Sequence, residues 1–428
     1  MESIASTHRF SRTAVLPFII FTLAASFYLY EFIFQVAPGV MSNELMAYFR
    51  IDAATFGTMS ACYFFAYSPM QIPAGLLYDR FGPRKLLTIA ILICAVGGFL
   101  FAASNQVLLA AFGRFFMGIG SAFAFLGVLV LIANWFPAKQ FGLMAGIAQL
   151  MSSAGAMVGN APVSAMVSAM GWQQTIVVIS LIGLVLAFFI WHIVRDQPVG
   201  RVIPSHHEDE RAFVKKLLQV CRRPQTWFIG IYVMCLWAPI TIFAALWGVP
   251  YFQTLYSTSA TLASGLIMMV WFGIAVGSPL FGWWSDHIGS RCRPLGISAG
   301  LGLVTSLIVL YVPNISMTMM YVLMFVFGVA ASGQVVSFAV VNDINRRNYV
   351  GTASGFNNMM TVMGGLLFQP LVGFLLRIQW DGTMLNNAPL YTTLAYERAL
   401  CIVPICFLIS LIMSTFFIKE THCEPLSE

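Results

Sequence analysis

The sequence predicts an all-α polytopic membrane protein with twelve transmembrane helices, and three observations carry that prediction. The 428-residue chain is 59% hydrophobic and only 9% charged, with a mean hydropathy of +0.84. An average soluble domain carries about 25% charged residues, so a water-soluble surface cannot be built here. The length would suit two or three soluble domains, but the composition overrides it. The apolar residues fall into twelve segments near the roughly 20 residues that cross a bilayer as a helix: 14–41, 54–77, 86–103, 107–130, 141–165, 174–194, 227–250, 262–283, 295–312, 318–341, 351–376 and 397–418. Runs such as 86–103 lack the dyad alternation of a transmembrane strand.

The first segment is too long for the apolar region of a signal peptide and contains Glu31 and Pro38, so it reads as the first span. Basic residues set the orientation. Eighteen of the 22 Lys and Arg lie in the two tails and in the connections after even-numbered spans; the other four are Arg50, Arg114, Arg377 and Arg398. Both termini are therefore expected in the cytoplasm, and the formal net charge of +6 reflects topology, with no nucleic-acid partner implied. None of the eight cysteines falls in a predicted outer loop, and no CxxC or Cys/His metal spacing occurs. A disulfide framework is not expected, nor is a cofactor or metal. The run His206-His207-Glu208-Asp209-Glu210 lacks HExxH spacing and reads as solvated linker.

The longest polar stretch, 195–226, divides the spans six and six. The expected organisation is a cytoplasmic tail (1–13), a six-helix bundle (14–194), a cytoplasmic central loop (195–226), a second bundle (227–418) and a cytoplasmic tail (419–428). Within the loop, 209–222 can form a short amphipathic helix at the membrane surface. The halves repeat each other: Gly75, Asp79, Gly82 and Arg84 recur 207 residues later as Gly282, Asp286, Gly289 and Arg291. Gly142, Gly146 and Gly155 recur 209 residues later as Gly351, Gly355 and Gly364. Two such bundles, related by an axis along the membrane normal, place a substrate site between them near the midplane.

The connection after the second span reads Gly75-Leu-Leu-Tyr-Asp79-Arg80-Phe-Gly82-Pro-Arg84-Lys85. Glycine permits close helix approach, Asp79 can cap or pair at a helix end, and the basic residues hold the turn at the cytoplasmic face. This resembles the signature between spans two and three of the major facilitator superfamily, and Gly282-Trp-Trp-Ser-Asp286-His-Ile-Gly289-Ser-Arg291 resembles its second-half copy. The resemblance covers essentially the whole chain. It implies the major facilitator fold of two six-helix bundles, a secondary transporter, and a conformational latch at Gly75, Asp79, Arg80, Gly82, Arg84, Gly282, Asp286, Gly289 and Arg291. In the fourth span, Arg114-Phe-Phe-Met-Gly118-Ile-Gly120 is similar to the superfamily's intramembrane arginine followed by close-packing glycines. The fifth span lacks the Gly-Pro dipeptide typical of drug/proton antiporters in the superfamily. In the first span, 28–41 resembles the phagosomal transporter (Pht) family of intracellular bacterial pathogens, which implies import of amino acids or nucleosides.

A charge at the centre of a spanning helix costs a few kcal/mol, roughly 2.5–3.5 on insertion scales, so Glu31 must face a partner or a wet cavity. Burial and a nearby cation move a carboxyl's proton affinity in opposite directions, which suits Glu31 to proton coupling with Arg114; a static pair between them is the alternative. Tyr28, Glu31 and Gln35 share a helical face and are expected to line the substrate path. The Arg114 fork suits a carboxylate, of substrate or of Glu31. Gln149, Trp237, Gln334, Asn357 and Asn358 are the further substrate-binding candidates, with Trp271 as a second aromatic wall. Ordinary helix-to-helix hydrogen bonding competes for each of them.

The resulting expectation is a monomeric, proton-coupled importer of a small polar metabolite in a bacterial inner membrane, with an amino acid favoured and a nucleoside second. Export of a drug or siderophore is the alternative, and a substrate-sensing receptor a weaker one. No histidine lies deep in a span, so an intramembrane enzyme is not expected.

Overall fold

The computed structural model describes residues 7–137, 140–198, 210–346, 349–385 and 387–424, with the side chains of 7–14, Asp79 and 210–213 outside that description. The first half comprises α1 (Thr7–Val40), a short α2 (Ser42–Phe49), α3 (Ala53–Phe81), α4 (Pro83–Ala102), α5 (Val107–Ser121) continued by α6 (Ala124–Trp135), α7 (Phe141–Val158) continued by α8 (Ala161–Met170), and α9 (Trp172–Ile193). After α10 (Glu210–Cys221), the seventh span is α11 (Pro224–Pro239), a π-helical stretch Ile240–Trp247, and α12 (Gly248–Tyr256). Then come α13 (Ala260–Ile288), α14 (Cys292–Tyr311), α15 (Met317–Ala331) with α16 (Gln334–Ile344), α17 (Val350–Ile378), and α18 (Thr393–Ala399) with α19 (Ile402–Ile412).

Among the described residues, eleven helical segments are long and apolar enough to cross a membrane. The twelfth span, α3, has 29 residues but is less apolar, because it carries Ser60, Tyr63, Tyr67, Ser68 and Gln71. Of these, Tyr63, Tyr67 and Gln71 share one face, described below. Local chemistry sets the helix starts: Asp52 accepts from the Thr55 N–H at 2.8 Å to cap α3, and Ser259, Ser316 and Thr392 cap α13, α15 and α18 in the same way. Large apolar side chains such as Leu108, Phe112, Val185 and Phe188 stay exposed on the outer surface, where lipid takes the place of a protein neighbour.

Two features depart from the sequence reading. Five spans expected as single helices, the fourth, fifth, seventh, tenth and twelfth, are interrupted, and in the seventh the π-helical stretch lies between Pro239 and Pro250, each of which removes a backbone donor. The connection between α17 and α18 contains a two-stranded antiparallel hairpin, β1 (Met384–Leu385) with β2 (Ala388–Pro389), which no alternating pattern announces.

Helices α4, α5 and α9 pack together in the first half and α13, α14, α15 and α19 in the second. The halves meet through α3 on α17, α1 on the π-helical stretch, and α7 and α8 on α13.

Candidate functional site

Between the halves lies a cavity of about 970 Å³. Its wall runs from Tyr28, Gln35, Trp237, Gln334 and Asn358 at depth to Gly75, Gly142, Lys216, Gly282 and Gly351, at the end that carries the basic loops. Gly75, Gly142, Gly146, Gly282 and Gly351 have no neighbouring atom within 4 Å of a Cβ position. The close approach expected at Gly75 and Gly282 is therefore absent in this conformation, because both border open space.

The opposite end is shut. Ser164 on α8 and Thr261 on α13 are hydrogen-bonded at 3.2 Å, and the Ala53 N–H donates to the Tyr391 hydroxyl at 3.0 Å. Asn43 reaches Gln253 at 3.4 Å, and Arg377 pairs with Asp52 at 3.1 Å. A Cβ at Gly373 would lie 2.2 Å from the Ala53 carbonyl oxygen, so α17 and α3 are in backbone contact there. Among the described residues the cavity is open toward the basic-loop face and closed at this opposite end.

Of the candidates, Tyr28, Gln35, Gln149, Trp237, Gln334 and Asn358 line the cavity. The Tyr28 hydroxyl donates to Gln149 Oε1 at 3.4 Å, and Gln149 donates to the Ser152 hydroxyl at 3.1 Å. Glu31, Arg114 and Asn357 lie behind the wall. Asn357 is buried and donates to the Ser337 hydroxyl at 3.0 Å. Trp271 backs Trp237, with ring centroids 6.4 Å apart, and its indole N–H is buried without a partner.

The separation of Glu31 from its two neighbours follows from helix geometry. At 3.6 residues per turn, Gln35 returns to within about 20° of Tyr28, while Glu31 is rotated about 60° away. That rotation turns it to α3, where its Oε2 accepts from the Tyr63 hydroxyl at 2.6 Å. Glu31 is fully buried, and among the described residues its Oε1 has no partner. Arg114 is 2% exposed and does not pair with Glu31. Its Nη1 donates to the Phe34 carbonyl at 2.6 Å, and its guanidinium lies 4.7 Å from the Tyr63 ring centroid. The two groups thus share Tyr63 as a neighbour with no direct ion pair between them, and the Arg114 fork lies behind the cavity wall in this conformation.

Two further wall residues escape a reading by residue type, Tyr67 and Gln71. With Tyr63 they form an i, i+4, i+8 stripe on α3. Gln71 Nε2 donates to the Ala122 carbonyl at 3.1 Å, and its Oε1 accepts from Asn358 Nδ2 at 2.8 Å across the two halves. The spacing of four in the second span was the available signal.

The predicted latch residues occupy the basic-loop face. Asp79 lies outside the described side chains, and 206–209 lie outside the described residues. Arg80 is exposed beside the Phe81 ring. Gly82 takes φ +75° between α3 and α4, and Gly289 takes φ +60° at the end of α13, conformations that favour glycine. Arg291 pairs with Asp286 at 2.6 Å and with Asp343 at 3.0 Å. Arg84 instead donates from Nε to the Trp191 carbonyl and lies over that indole. Each half adds a carboxylate from beyond its last span: Asp196 accepts from the Arg84 N–H at 2.7 Å, and Glu420 from the Arg291 N–H at 2.7 Å. Both cap the start of the following helix in space, α4 or α14.

Comparison with known proteins fits this geometry. The profile of the Major Facilitator Superfamily matches residues 18–369 and 241–407. The chain belongs to the major facilitator superfamily. Similar relatives are the probable sulfoacetate transporter SauU of Cupriavidus necator (24% identical, covering 82% of this chain and 85% of the relative) and the probable galactarate/D-glucarate transporter GarP of Escherichia coli K12 (24% identical, covering 83% and 86%). Among solved structures, a bacterial homologue of the human lysosomal transporter Spinster, described as inward-facing and unoccupied, superposes with a TM-score of 0.74 at 14% identity, covering 94% of this chain and 98% of that one. This major facilitator is a multi-pass membrane transporter for a small molecule, with twelve spans in two six-helix bundles.

Proposed function

We propose that this transporter imports a small uncharged polar metabolite by alternating access, coupled to protons at Glu31, in a bacterial inner membrane with both termini cytoplasmic. The observation that supports this reading is the chemistry of the cavity wall. Its polar groups at depth are the neutral side chains of Tyr28, Gln35, Tyr67, Gln71, Gln149, Gln334, Asn358 and Thr361, set among Phe32, Phe125, Trp237 and Phe338. Among the described residues, Lys216, toward the mouth, is the one charged side chain on that wall.

Moving an anion out of water without a compensating cation costs several kcal/mol. The wall therefore disfavours organic anions such as those for which SauU and GarP are named. An amino acid was favoured because Glu31 and Arg114 would hold its two charges, and neither side chain faces the cavity. A nucleoside uses what the wall offers, amides for its base edges and aromatic rings for its faces. Export of a larger amphiphile is the competing reading, and the roughly 970 Å³ volume leaves room for one.

The test is uptake of labelled nucleosides and amino acids by proteoliposomes, with and without an inward proton gradient, for wild type and Glu31→Gln. Accumulation of a nucleoside above equilibrium that needs both the gradient and Glu31 is expected, with D-glucarate a poor competitor. Uptake unaffected by Glu31→Gln, or strong competition by D-glucarate, refutes the proton site or the neutral cavity respectively.

A further inference from the structure

We propose that Tyr63 and Tyr67 of α3 form the link through which the cavity and Glu31 sense each other, with Tyr63 as the positioning residue for the carboxyl. The inference rests on Glu31 being the proton-coupling group. Glu31 has no path to the cavity of its own, since it is fully buried and lies off the wall. Among the described residues its one hydrogen-bond partner is the Tyr63 hydroxyl, at 2.6 Å, and its other oxygen is unpartnered.

The titratable groups in electrostatic contact with it are Tyr28 on its own helix, Tyr63 and Tyr67 on α3, and Cys94 on α4. The Arg114 guanidinium lies over the same Tyr63 ring, 4.7 Å from its centroid. Whatever moves Tyr63 therefore changes both the donor that Glu31 has available and the ring that Arg114 lies over.

Tyr63 in turn is coupled to the cavity. Its ring is stacked with Tyr67, centroids 5.7 Å apart and planes 27° apart. Tyr67 lies on the cavity wall, one helical turn from Gln71, which holds Asn358 of the opposite half at 2.8 Å. One helix face thus carries an unbroken series from the buried carboxyl to the wall and to the seam between the bundles. A solute bonded to Tyr67, or a shift of α17 against α3, displaces Tyr63 through ring contact. The hydroxyl donor at Glu31 then lengthens or breaks, and the carboxyl's hold on its proton changes with it.

Infrared titration of the purified full-length protein tests this without knowledge of the solute. The protonated-carboxyl band that disappears in Glu31→Gln is followed against pH in wild type, Tyr63→Phe, Tyr67→Phe and Tyr67→Leu. Tyr63→Phe is expected to displace the midpoint by about one pH unit, the worth of one hydrogen bond to an ionised group. Tyr67→Leu, which removes the stacked ring, displaces it in the same sense, while Tyr67→Phe, which keeps the ring, leaves it in place. Folding of each variant is checked by its thermal midpoint. Wild-type midpoints in both Tyr63→Phe and Tyr67→Leu overturn the link while leaving the proton site standing. Absence of any Glu31-dependent titration in wild type overturns the proton site itself, and the link with it.

Discussion

Replacing Gly118 by alanine tests whether the contact between α5 and α3 holds the buried charges in place. A Cβ at Gly118 would sit 2.0 Å from the Tyr63 carbonyl oxygen, 2.8 Å from its carbonyl carbon and 3.0 Å from its Cα. All three are backbone atoms of a continuous helix, so no side-chain rotation relieves the clash. Restoring an ordinary contact of 3.4 Å to the oxygen requires a shift of 3.4 − 2.0 = 1.4 Å between the helices. Overpacking of this kind costs about 1–3 kcal/mol and at times more. The same shift applied to Tyr63 stretches its 2.6 Å bond to Glu31 beyond hydrogen-bonding range. Gly142→Ala is the control, since nothing lies within 4 Å of its Cβ position and alanine gains up to about 1 kcal/mol in helix propensity. Thermal unfolding of the purified proteins should show Gly118→Ala several degrees below wild type and Gly142→Ala at or above it. Equal midpoints for Gly118→Ala and wild type would refute the reasoning, because the backbone contact would then not be rigid.

Three further outcomes are expected. The Ser164 and Thr261 hydroxyls stand 3.2 Å apart across the closed end, so the Ser164→Cys/Thr261→Cys double variant should cross-link on oxidation, stop uptake, and recover on reduction; free uptake by the oxidised, cross-linked protein would mean that this end need not open. Arg114→Lys keeps the charge but loses the planar group that lies over Tyr63, so uptake should fall at least tenfold, and wild-type uptake would show that charge alone suffices. At Glu420, partial burial pushes the carboxyl up, but the Arg291 N–H, the Ser290 hydroxyl and the Cys292 and His422 N–H groups outweigh it and hold the group down at about 2. Its folded-state value is depressed, so its stabilisation is complete above the unfolded carboxyl range near 4.3 and is lost as pH falls from there through about 2. Glu420→Gln should therefore cost about 1 kcal/mol at neutral pH and flatten the acid limb of the stability curve; an unchanged acid limb would remove Glu420 from that account.

The membrane fold was legible because each of its signals is local. Hydropathy over one span, the Gly75–Arg84 turn and its copy at Gly282–Arg291 need no distant contact to be read. The candidate residues were less legible. Tyr28 and Gln35 were found because a spacing of seven returns to the same face, whereas Glu31 was grouped with them although its 60° offset turns it to α3. Tyr67 and Gln71 were passed over because a tyrosine or glutamine in a span is ordinary helix glue unless the wall it faces is known. Asp196 and Glu420 were missed because each caps a helix distant in the chain, a relation that no spacing encodes.

By itself the sequence determined that this chain crosses a membrane repeatedly, in two similar halves, with one carboxyl and one guanidinium deep inside the first. Those are consequences of transfer free energy, which acts on each segment separately. Only the tertiary structure decided that the carboxyl and the guanidinium meet at Tyr63 and not at each other, and that the cavity between the halves is lined at depth by neutral side chains. Such outcomes depend on which helix faces are brought within hydrogen-bonding distance, and the packing of small residues such as Gly118 and Gly373 against distant backbone sets those distances.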